Sequence, residues 1–304
     1  MKVVAFAGGT GSAKILRGLS SLKVDLTVIG NVGDNFRFHG LYVCPDLDIA
    51  MYTLAGVSDP VRGWGLKGDT FTAMDQLAKV GLETWFRLGD RDMATQVLRR
   101  GWLDAGMTLT QVTDLMRKGF RVRHPILPVT DDPLETYVLT PRGPLHLQEF
   151  WVRDRGRPRA TRVEYRGSVS ARPTSQVAEA VGAADRVVIC PANPVTSVGP
   201  MLAVPGVVEI LAEARGRVSA LSPMLGKAPF SGPAAKLMKA AGISSDSIGV
   251  AEKYAPFLDS LLIDRADEAM KAQIEDAGVD CVLSGTKIAG AKDEARLARE
   301  LLEA

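Results

Sequence analysis

The chain has 304 residues, of which 46% are hydrophobic and 24% are charged, and this composition is typical of a folded globular protein. Its 37 basic and 35 acidic residues leave a formal net charge of only +2. This balance argues against binding to nucleic acid or to a membrane surface, since both need a strongly basic face. The length predicts about two domains, or one large α/β unit with an insertion.

The cysteines and the first residues predict the cellular compartment. Cys44, Cys190 and Cys281 lie far apart, a spacing that supports neither a disulfide framework nor a zinc cluster. The apolar residues 1–7 run directly into glycines and are too short for a secretory signal. No segment approaches the roughly 18 apolar residues that cross a bilayer. We therefore expect a cytoplasmic protein without a membrane or nucleic-acid partner.

The first 35 residues predict a parallel βαβ unit. Residues 3–7 form a short apolar run that stops at Gly8-Gly9-Thr10-Gly11-Ser12. Apolar residues then recur at helical spacing over 15–22, and a second apolar run, 26–29, ends in Gly30-Asn31-Val32-Gly33-Asp34-Asn35. Both loops follow the carboxyl ends of their strands, where ligands bind in open α/β sheets.

The rest of the chain predicts an α/β fold: a Rossmann-like, mostly parallel sheet with helices on both faces and a smaller helical and hairpin-rich region. Residues 46–119 are mainly helical in pattern. Prolines and β-prone runs then predict an inserted hairpin-rich subdomain over 123–167, with a turn at 141–144. The nucleotide-binding core is predicted to comprise 1–122 and 168–304, and its later strands are expected at 186–190, 218–221, 261–263 and 279–283.

The glycine loop favours a phosphate ligand, because its backbone N–H groups and the positive end of the next helix can converge on an anion. It departs from the dinucleotide fingerprint, since Lys14 occupies the third glycine position and Asn31 replaces the ribose-binding acid. The Walker pattern is also missing. A tight strand-to-helix turn without a ligand is the alternative interpretation.

An acidic pair, Asp46 and Asp48, opens the next predicted helix. Carboxylates in the first turn of a helix are stabilised in the ionised form, and ionised oxygens suit Mg²⁺. Residues two apart on a helix point to nearly opposite sides, so one aspartate can cap the helix while the other faces a site. Two ordinary capping acids are the alternative, but Asn31, Asp34 and Asn35 add further oxygen ligands close by in sequence.

Two more loops carry groups suited to binding. Trp85 and Arg87, in the cluster 85–92, could stack a flat ring and hold an anion or hydroxyl, although a solvated charged loop explains the cluster equally well. The loop 190–200 follows a strong strand and combines prolines with small donors such as Asn193 and Ser197. It suits close approach to a ligand, or it is a rigid turn.

Six segments together resemble the 2-phospho-L-lactate transferase family, over essentially the whole chain: 8–14, 31–35, 44–48, 63–65, 191–194 and 221–223. The resemblance implies a Rossmann-like fold, a homodimer and a Mg²⁺ requirement. It also implies a reaction in which a guanosine diphosphate ester of a small carboxylic acid, of the lactyl-2-diphospho-5'-guanosine type, transfers its phospho-acid part. The acceptor is the ribitol hydroxyl of 7,8-didemethyl-8-hydroxy-5-deazariboflavin (Fo), and GMP is released, in the biosynthesis of the deazaflavin coenzyme F-420. Family knowledge further implies that Asp48 and Arg87 contact the acceptor.

These inferences give a set of predicted site residues. Asp48 and Asp46 are the predicted catalytic residues, and Mg²⁺ is assigned to Asp48, Asp46 and Asp34. Asp48, Arg87 and Trp85 are assigned to the acceptor. The nucleotide and its phosphates are assigned to Gly9, Thr10, Gly11, Ser12, Lys14, Asn31, Asn193 and Ser197.

The identity of the donor acid, the cation that binds its carboxylate and the choice between functions stay open at this stage. The donor acid is lactate, enolpyruvate or glycerate, and its carboxylate could bind Arg87, Lys67 or Arg91. We also expect Gly11→Val to block nucleotide entry by filling the space of a phosphate. Two other functions compete: a non-catalytic nucleotide-sugar-binding regulator of a related glycine-loop family, and an NAD-dependent oxidoreductase, which the missing third glycine and ribose acid disfavour.

Overall fold

The computed structural model describes residues 1–229 and 233–304. Its strands are β1 Lys2–Ala7, β2 Asp25–Gly30, β3 Phe36–Phe38, β4 Leu41–Val43, β5 Ile126–Pro128, β6 Glu135–Thr140, β7 Gly143–His146, β8 Arg162–Arg166, β9 Arg186–Ile189, β10 Val218–Leu221, β11 Met224–Leu225, β12 Ala228–Pro229, β13 Ser260–Asp264 and β14 Asp280–Ser284.

The helices are α1 Gly9–Ser21, α2 Pro45–Leu54, α3 Thr72–Lys79, α4 Asp90–Asp104, α5 Leu109–Gly119, α6 Ser175–Gly182, α7 Val198–Leu202, α8 Val207–Glu213, α9 Ala234–Ala240, α10 Ser247–Tyr254, α11 Lys271–Asp276 and α12 Ala291–Glu303. A π-helical turn covers Glu149–Arg153 and a 3₁₀ segment covers Arg265–Met270.

The centre of the molecule is a seven-stranded sheet in the order β14-β13-β10-β9-β1-β2-β5. Every neighbouring pair in it is parallel, and β1 lies between β2 and β9 with Val3 opposite both Leu26 and Arg186. The inner strands are apolar on both faces, as expected for a parallel sheet covered by helices. The predicted Rossmann-like sheet is therefore confirmed.

The order of the strands reverses between β1 and β9. After β1 the chain moves toward the β5 edge, and after β9 it moves toward the β14 edge. Because crossovers between parallel strands are right-handed, these two directions place their helices on opposite faces of the sheet. The predicted helices on both faces follow from this, and the reversal creates a crevice at the carboxyl ends of β1 and β9.

A separate antiparallel sheet in the order β7-β6-β8 forms the hairpin-rich region, and its β6–β7 connection is the turn predicted at 141–144. In the structure this hairpin-rich region is shorter than the predicted range 123–167. Residues 126–128 form β5, which pairs with β2 as the edge strand of the central sheet. A proline-bounded segment is tolerated there because an edge strand has one unpaired side.

Helices α1 and α12 cross at a glycine. A Cβ atom added to Gly18 would overlap the carbonyl oxygen of Glu294, so the two backbones meet there without room for a side chain. Close to the crossing, Arg17 forms an ion pair with the Glu294 carboxylate at 2.5 Å. The crossing joins the carboxyl-terminal helix to the glycine-loop helix.

We expect Gly18→Ala to lower the free energy of unfolding by about 1 to 3 kcal/mol, the usual cost of overpacking. Gly101→Ala is the matched control, because a Cβ on that α4 residue meets nothing within 4 Å; it should stabilise by about 0.5 to 1 kcal/mol. Urea denaturation of both variants measures the difference. Equal effects would show that the α1–α12 contact yields without cost.

Among the residues that the structure describes, none of the helices is both long and apolar enough to cross a lipid bilayer.

Candidate functional site

A cavity of about 1180 Å³ opens at the carboxyl ends of the central strands. It is bounded by the loops that follow β1, β2, β9, β10 and β14, and by residues of α2 and α4. It thus lies at the point where the strand order reverses, the usual ligand position in such sheets. Most of the sequence-predicted site residues reach it, the lining ones being Gly9, Thr10, Gly11, Lys14, Asp34, Asp46, Asp48, Trp85, Arg87, Asn193 and Ser197.

The glycine loop forms the first turn of α1. Gly9 has a φ of +64°, a left-handed conformation that glycine adopts without strain. A Cβ on Gly8 would lie 2.7 Å from the Cβ of Ser197 and 2.9 Å from Oδ2 of Asp46, so the loop packs directly against both neighbours. The first N–H groups of α1 lack helical partners and point toward this end of the helix, which suits an anion.

Two members of the predicted phosphate set differ in their surroundings. The hydroxyl of Ser12 accepts a hydrogen bond from the Gly8 N–H at 3.0 Å and donates to the Gly8 carbonyl at 2.8 Å. Ser12 is buried and does not line the cavity, so its side chain stabilises the turn. Lys14 lines the cavity and donates to the Ile288 carbonyl at 3.2 Å.

Gly11 both lines the cavity and packs closely against a neighbouring loop. A Cβ at this position would overlap the carbonyl oxygen of Pro191. The structure thus adds a second reason for the effect expected of Gly11→Val: the added side chain would push α1 away from the loop that follows β9. In this respect Gly11 resembles a glycine that allows close helix–strand packing.

Asn31 joins two of the predicted carboxylates. Its Nδ2 donates to Asp34 Oδ1 at 3.1 Å, to Asp46 Oδ2 at 2.9 Å and to the carbonyl of Thr196 at 3.3 Å, while its Oδ1 accepts from the Gly33 N–H at 2.8 Å. Asn31 is completely buried. Its amide is thus occupied by the protein, and its structural role is to hold Asp34 and Asp46 beside each other.

Asp34 and Asp46 are short of positive charge. Burial, and then the Asp46 carboxylate, raise the pKa of Asp34 well above its ordinary value. Burial raises the pKa of Asp46 to about 6, against hydrogen bonds from Asn31 and the Gly9 N–H. Two adjacent desolvated carboxylates with a shared amide are a hard-oxygen donor set that suits Mg²⁺, which commonly uses one or two carboxylates together with substrate phosphates. These residues therefore fit the implied metal.

Asp48 lies in a different polar cluster. Both of its carboxylate oxygens accept from Arg99, through Nη2 to Oδ1 and through Nη1 to Oδ2 at 3.1 Å, and Oδ2 also accepts from Gln96 at 3.0 Å. Residues two apart on a helix are about 200° apart, which is why Asp48 and Asp46 face different partners. Within the two described stretches of the chain, no three His, Cys, Asp or Glu side chains converge as a metal centre. The predicted set of three aspartates is thus not assembled.

Asp92 completes the Asp48 cluster. Its Oδ1 accepts from the Tyr52 hydroxyl at 2.8 Å and from the Gln96 amide at 3.0 Å. Burial, followed by the nearby Asp48 carboxylate, raises the pKa of Asp92 to about 6. One amide, Gln96, therefore bridges two buried carboxylates that line the cavity.

The raised pKa of Asp92 predicts a pH dependence of stability. Between pH values of about 4 and 6 the folded chain holds a proton that the unfolded chain releases, so this group makes the free energy of unfolding fall as pH rises. Asp92→Asn removes that contribution. We expect the stability of the variant relative to the natural chain to rise by on the order of 1 to 3 kcal/mol between pH 4 and pH 7.

Urea denaturation of both chains at the two pH values measures this change, and the titrating groups that do not interact with Asp92 cancel in the comparison. A difference that does not vary with pH would show that folding leaves the pKa of Asp92 unchanged.

Trp85 and Arg87, two of the predicted acceptor residues, line the cavity among aromatic side chains. Trp85 packs against Phe36 and Phe38, with ring centroids 6.0 and 5.1 Å away. The Arg87 guanidinium lies 4.8 Å from the Phe71 ring centroid and pairs with Asp75 at 3.3 Å. Other aromatic side chains also line the cavity: Trp64, Phe86 and Trp151. Trp85 and Phe86, whose ring centroids lie 6.0 Å apart, form an aromatic wall with flat apolar surface for a ring system.

The three cations considered for the donor carboxylate are placed differently. Arg87 lines the cavity. Arg91 instead donates from Nη1 to the Lys67 carbonyl at 3.2 Å, and both residues lie outside the cavity lining. The lining contains further cations that the sequence did not suggest for this role: Arg17 and Lys287.

The loop after β9 is stabilised by the side chain of one of its own residues, Asn193. Asn193 Oδ1 accepts from the N–H groups of Val195 at 2.9 Å and Thr196 at 3.3 Å. Ser197 presents its hydroxyl 3.4 Å from the Cβ position of Gly9, at the phosphate end of the cavity. Of the two predicted residues, Ser197 is thus placed against the glycine turn, and Asn193 shapes the loop while lining the cavity.

The chain is similar to known proteins over nearly its whole length. The family described as 2-phospho-L-lactate transferase CofD matches residues 3–292. A phosphoenolpyruvate transferase of Streptomyces griseus is 40% identical, over 100% of this chain and 98% of its own. A 2-phospho-L-lactate transferase of Methanosarcina mazei is 37% identical, over 99% of this chain and 100% of its own.

The chain belongs to the CofD family. The match confirms the family resemblance and supports a transferase. Among solved structures, a protein of the upf0052 family from Bacillus halodurans superposes with a TM-score of 0.65 at 17% identity, covering 99% of this chain and 100% of its own. At that identity the likeness concerns the fold alone.

Sequence reasoning missed several polar residues of this CofD-family site. Asp92, Gln96 and Arg99 lie at spacings of four and three along α4 and therefore share one face of that helix. All three are buried, although buried helix faces are normally apolar. A stripe of charged and amide residues at helical spacing was the available signal. Gln148, which donates to Asp34 Oδ2 at 3.5 Å, carried no comparable sequence signal.

Proposed function

We propose that this CofD-family transferase moves a phospho-carboxylic acid group, of the 2-phospholactate or phosphoenolpyruvate type, from a guanosine diphosphate ester to the ribitol hydroxyl of Fo. GMP is the leaving group, and the product belongs to the biosynthesis of coenzyme F-420. The observation that carries the proposal is the single cavity in which a glycine turn, a buried pair of carboxylates and an aromatic wall meet. The names of the relatives support the transferred group.

The glycine turn binds the diphosphate in this proposal. The N–H groups of Thr10 and Gly11, which have no helical partner, and the helix dipole stabilise phosphate charge beside Gly9. The Ser197 hydroxyl adds a further donor, Ser12 holds the turn in shape, and Lys14 adds a positive charge to the cavity lining. Because the hydrogen-bonded loops fix these groups before the donor arrives, little reorganisation is needed.

Asp34 and Asp46 would hold Mg²⁺. When bound, the ion would offset the charge of the diphosphate and orient its oxygens. The two carboxylates supply ionised oxygens next to the glycine turn, and Asn31 keeps them in place. Gln148 restrains the outer oxygen of Asp34. Asp46 thus keeps its predicted catalytic role, at the phosphate end of the cavity.

The acceptor occupies the aromatic side. Trp85 and Arg87 remain the proposed contacts for the deazaflavin ring, and Asp48, which also lines the cavity, remains the proposed contact for its ribitol chain. The ribitol hydroxyl oxygen forms a bond to the phosphorus that carries the acid, the bond to the GMP oxygen breaks, and the hydroxyl proton passes to the Asp48 carboxylate and from there to water. Phosphoryl transfer of this kind depends mainly on positioning and electrostatics.

Mass spectrometry of the product tests the proposal. The purified protein is incubated with Fo, Mg²⁺ and each of the three guanylylated acids: lactate, enolpyruvate and glycerate. We expect an adduct of Fo with one phospho-acid and an equal amount of GMP, and the preferred donor identifies the acid. Binding of GDP or a nucleotide sugar without any adduct would favour the non-catalytic regulator. A homodimer and a cytoplasmic location are further parts of the proposal.

A further inference from the structure

We infer that Arg99 is a positioning residue for this reaction: it fixes the Asp48 carboxylate at the acceptor side of the cavity and ties it to helix α4. The inference rests on the proposed function, because Asp48 and Gln96 line the cavity that the acceptor would enter. Arg99 itself lies behind them, with 1% of its surface exposed. It can therefore affect a substrate only through the groups it holds.

The contacts of Arg99 join three elements. Its guanidinium donates to both oxygens of Asp48 on α2, to Gln96 on its own helix and, at 3.4 Å, to the Tyr42 carbonyl on β4. A fork of two parallel hydrogen bonds fixes both the distance and the rotation of a carboxylate. Arg99 thus determines which way Asp48 faces.

The charges of the cluster require this cation. Asp48 and Asp92 accept hydrogen bonds from the same Gln96 amide, and Arg99 lies directly against Asp48. Removing one partner of a buried ion pair leaves a charge that neither water nor protein compensates. Lysine retains the charge but cannot form the planar fork.

A role limited to stability does not explain the arrangement well. Buried ion pairs can often be replaced by well-packed apolar residues without loss of stability. Here the pair is placed so that its carboxylate, and not its cation, borders the cavity. Asp48 also shares the first turn of α2 with Asp46, so a fixed Asp48 restrains the turn that carries a proposed metal ligand.

The test combines single and double variants: Arg99→Met, Arg99→Lys, Asp48→Asn, and Asp48→Asn with Arg99→Met. Arg100→Met is the matched control, because Arg100 is the next residue of α4 and pairs with Asp104 at the surface. For each chain, kcat and the KM for Fo are measured in the transfer assay, GDP affinity by calorimetry, and the folded state by circular dichroism and thermal unfolding.

We expect Arg99→Met to lower kcat/KM for Fo by about 30-fold or more, as for loss of one partner of a buried pair. GDP affinity should stay within about twofold, and Arg99→Lys should recover part of the loss. In the Asp48→Asn background, Arg99→Met should change the rate by less than about threefold, since residues acting as one unit are non-additive. Arg100→Met should match the natural chain.

Several results would overturn the inference. These are near-natural kinetics of Arg99→Met, effects that multiply in the double variant, or a parallel loss of GDP affinity, which indicates general damage. If Arg99→Met does not fold, the double variant is used, because it leaves no buried carboxylate at position 48. Its transfer rate is then compared with that of Asp48→Asn. If the natural chain forms no adduct, the proposed function and this inference both fail. If the natural chain is active and substitutions of Arg99 leave its kinetics unchanged, only the inference fails.

Discussion

Replacing Asp46 with asparagine is expected to lower kcat for transfer by about 100-fold or more while the chain still folds. Asp46 is buried beside Asp34, accepts from the shared Asn31 amide and lies against the glycine turn. Asparagine keeps the shape and one acceptor oxygen, but removes half of the negative charge of the proposed metal site. The main effect should therefore be on turnover rather than on stability.

Steady-state kinetics at several Mg²⁺ concentrations measures this effect, and part of the loss should be recovered at high Mg²⁺. Asp246→Asn is the control, since Asp246 is also a buried aspartate but caps α10 through the Gly249 N–H, outside the cavity. Asparagine caps helices as well as aspartate does. Natural turnover in Asp46→Asn would remove this residue from the proposed machinery.

Placing a methyl group on Gly11 is expected to weaken GDP binding by about tenfold or more and to lower the free energy of unfolding by about 1 to 3 kcal/mol. The reason is the carbonyl oxygen of Pro191, which the new Cβ would overlap. The first turn of α1 and the loop after β9 must then separate. Both segments supply groups to the proposed phosphate site, so binding and stability should fall together.

Calorimetry with GDP and urea denaturation of Gly11→Ala give the two values. Gly119→Ala serves for comparison, because that glycine ends α5 with open space around its Cβ position. If Gly11→Ala loses GDP affinity with unchanged stability, the glycine is required for the ligand and not for packing. In that case the original sequence-based explanation, steric exclusion of the phosphate, is the better one.

The sequence predicted the central sheet because parallel strands buried on both faces are short continuous apolar runs. Residues 3–7, 26–29, 218–221 and 261–263 all fall within strands of the structure. The edge strand β5 was missed since it has only three residues, the last of which is Pro128, and follows Pro125 directly. Its pairing with β2 depends on contacts about a hundred residues away. Local pattern carries no information about such a pairing.

The candidate site could likewise be predicted only where local sequence patterns determine it, and not where it depends on contacts distant in sequence. The glycine loop and the loop after β9 meet in one cavity, as loops at the carboxyl ends of neighbouring parallel strands must. The acidic first turn of α2 reaches the same cavity, although it follows the antiparallel β3–β4 pair. The different surroundings of Asp46 and Asp48 could not be predicted, because they depend on Arg99, which lies 51 residues from Asp48 in the sequence. The helical spacing told us that the two aspartates face different sides, but not that the second one meets a buried cation.

The most direct test of the account is a crystal structure of the protein with GDP and Mn²⁺, in which the anomalous signal locates the metal independently of the model of the ligand. We predict that the diphosphate lies against the first turn of α1, on the N–H groups of Thr10 and Gly11, and that the metal peak lies between the diphosphate and the carboxylates of Asp34 and Asp46. A metal bound at Asp48, or a nucleotide seated away from the glycine turn, would contradict the account.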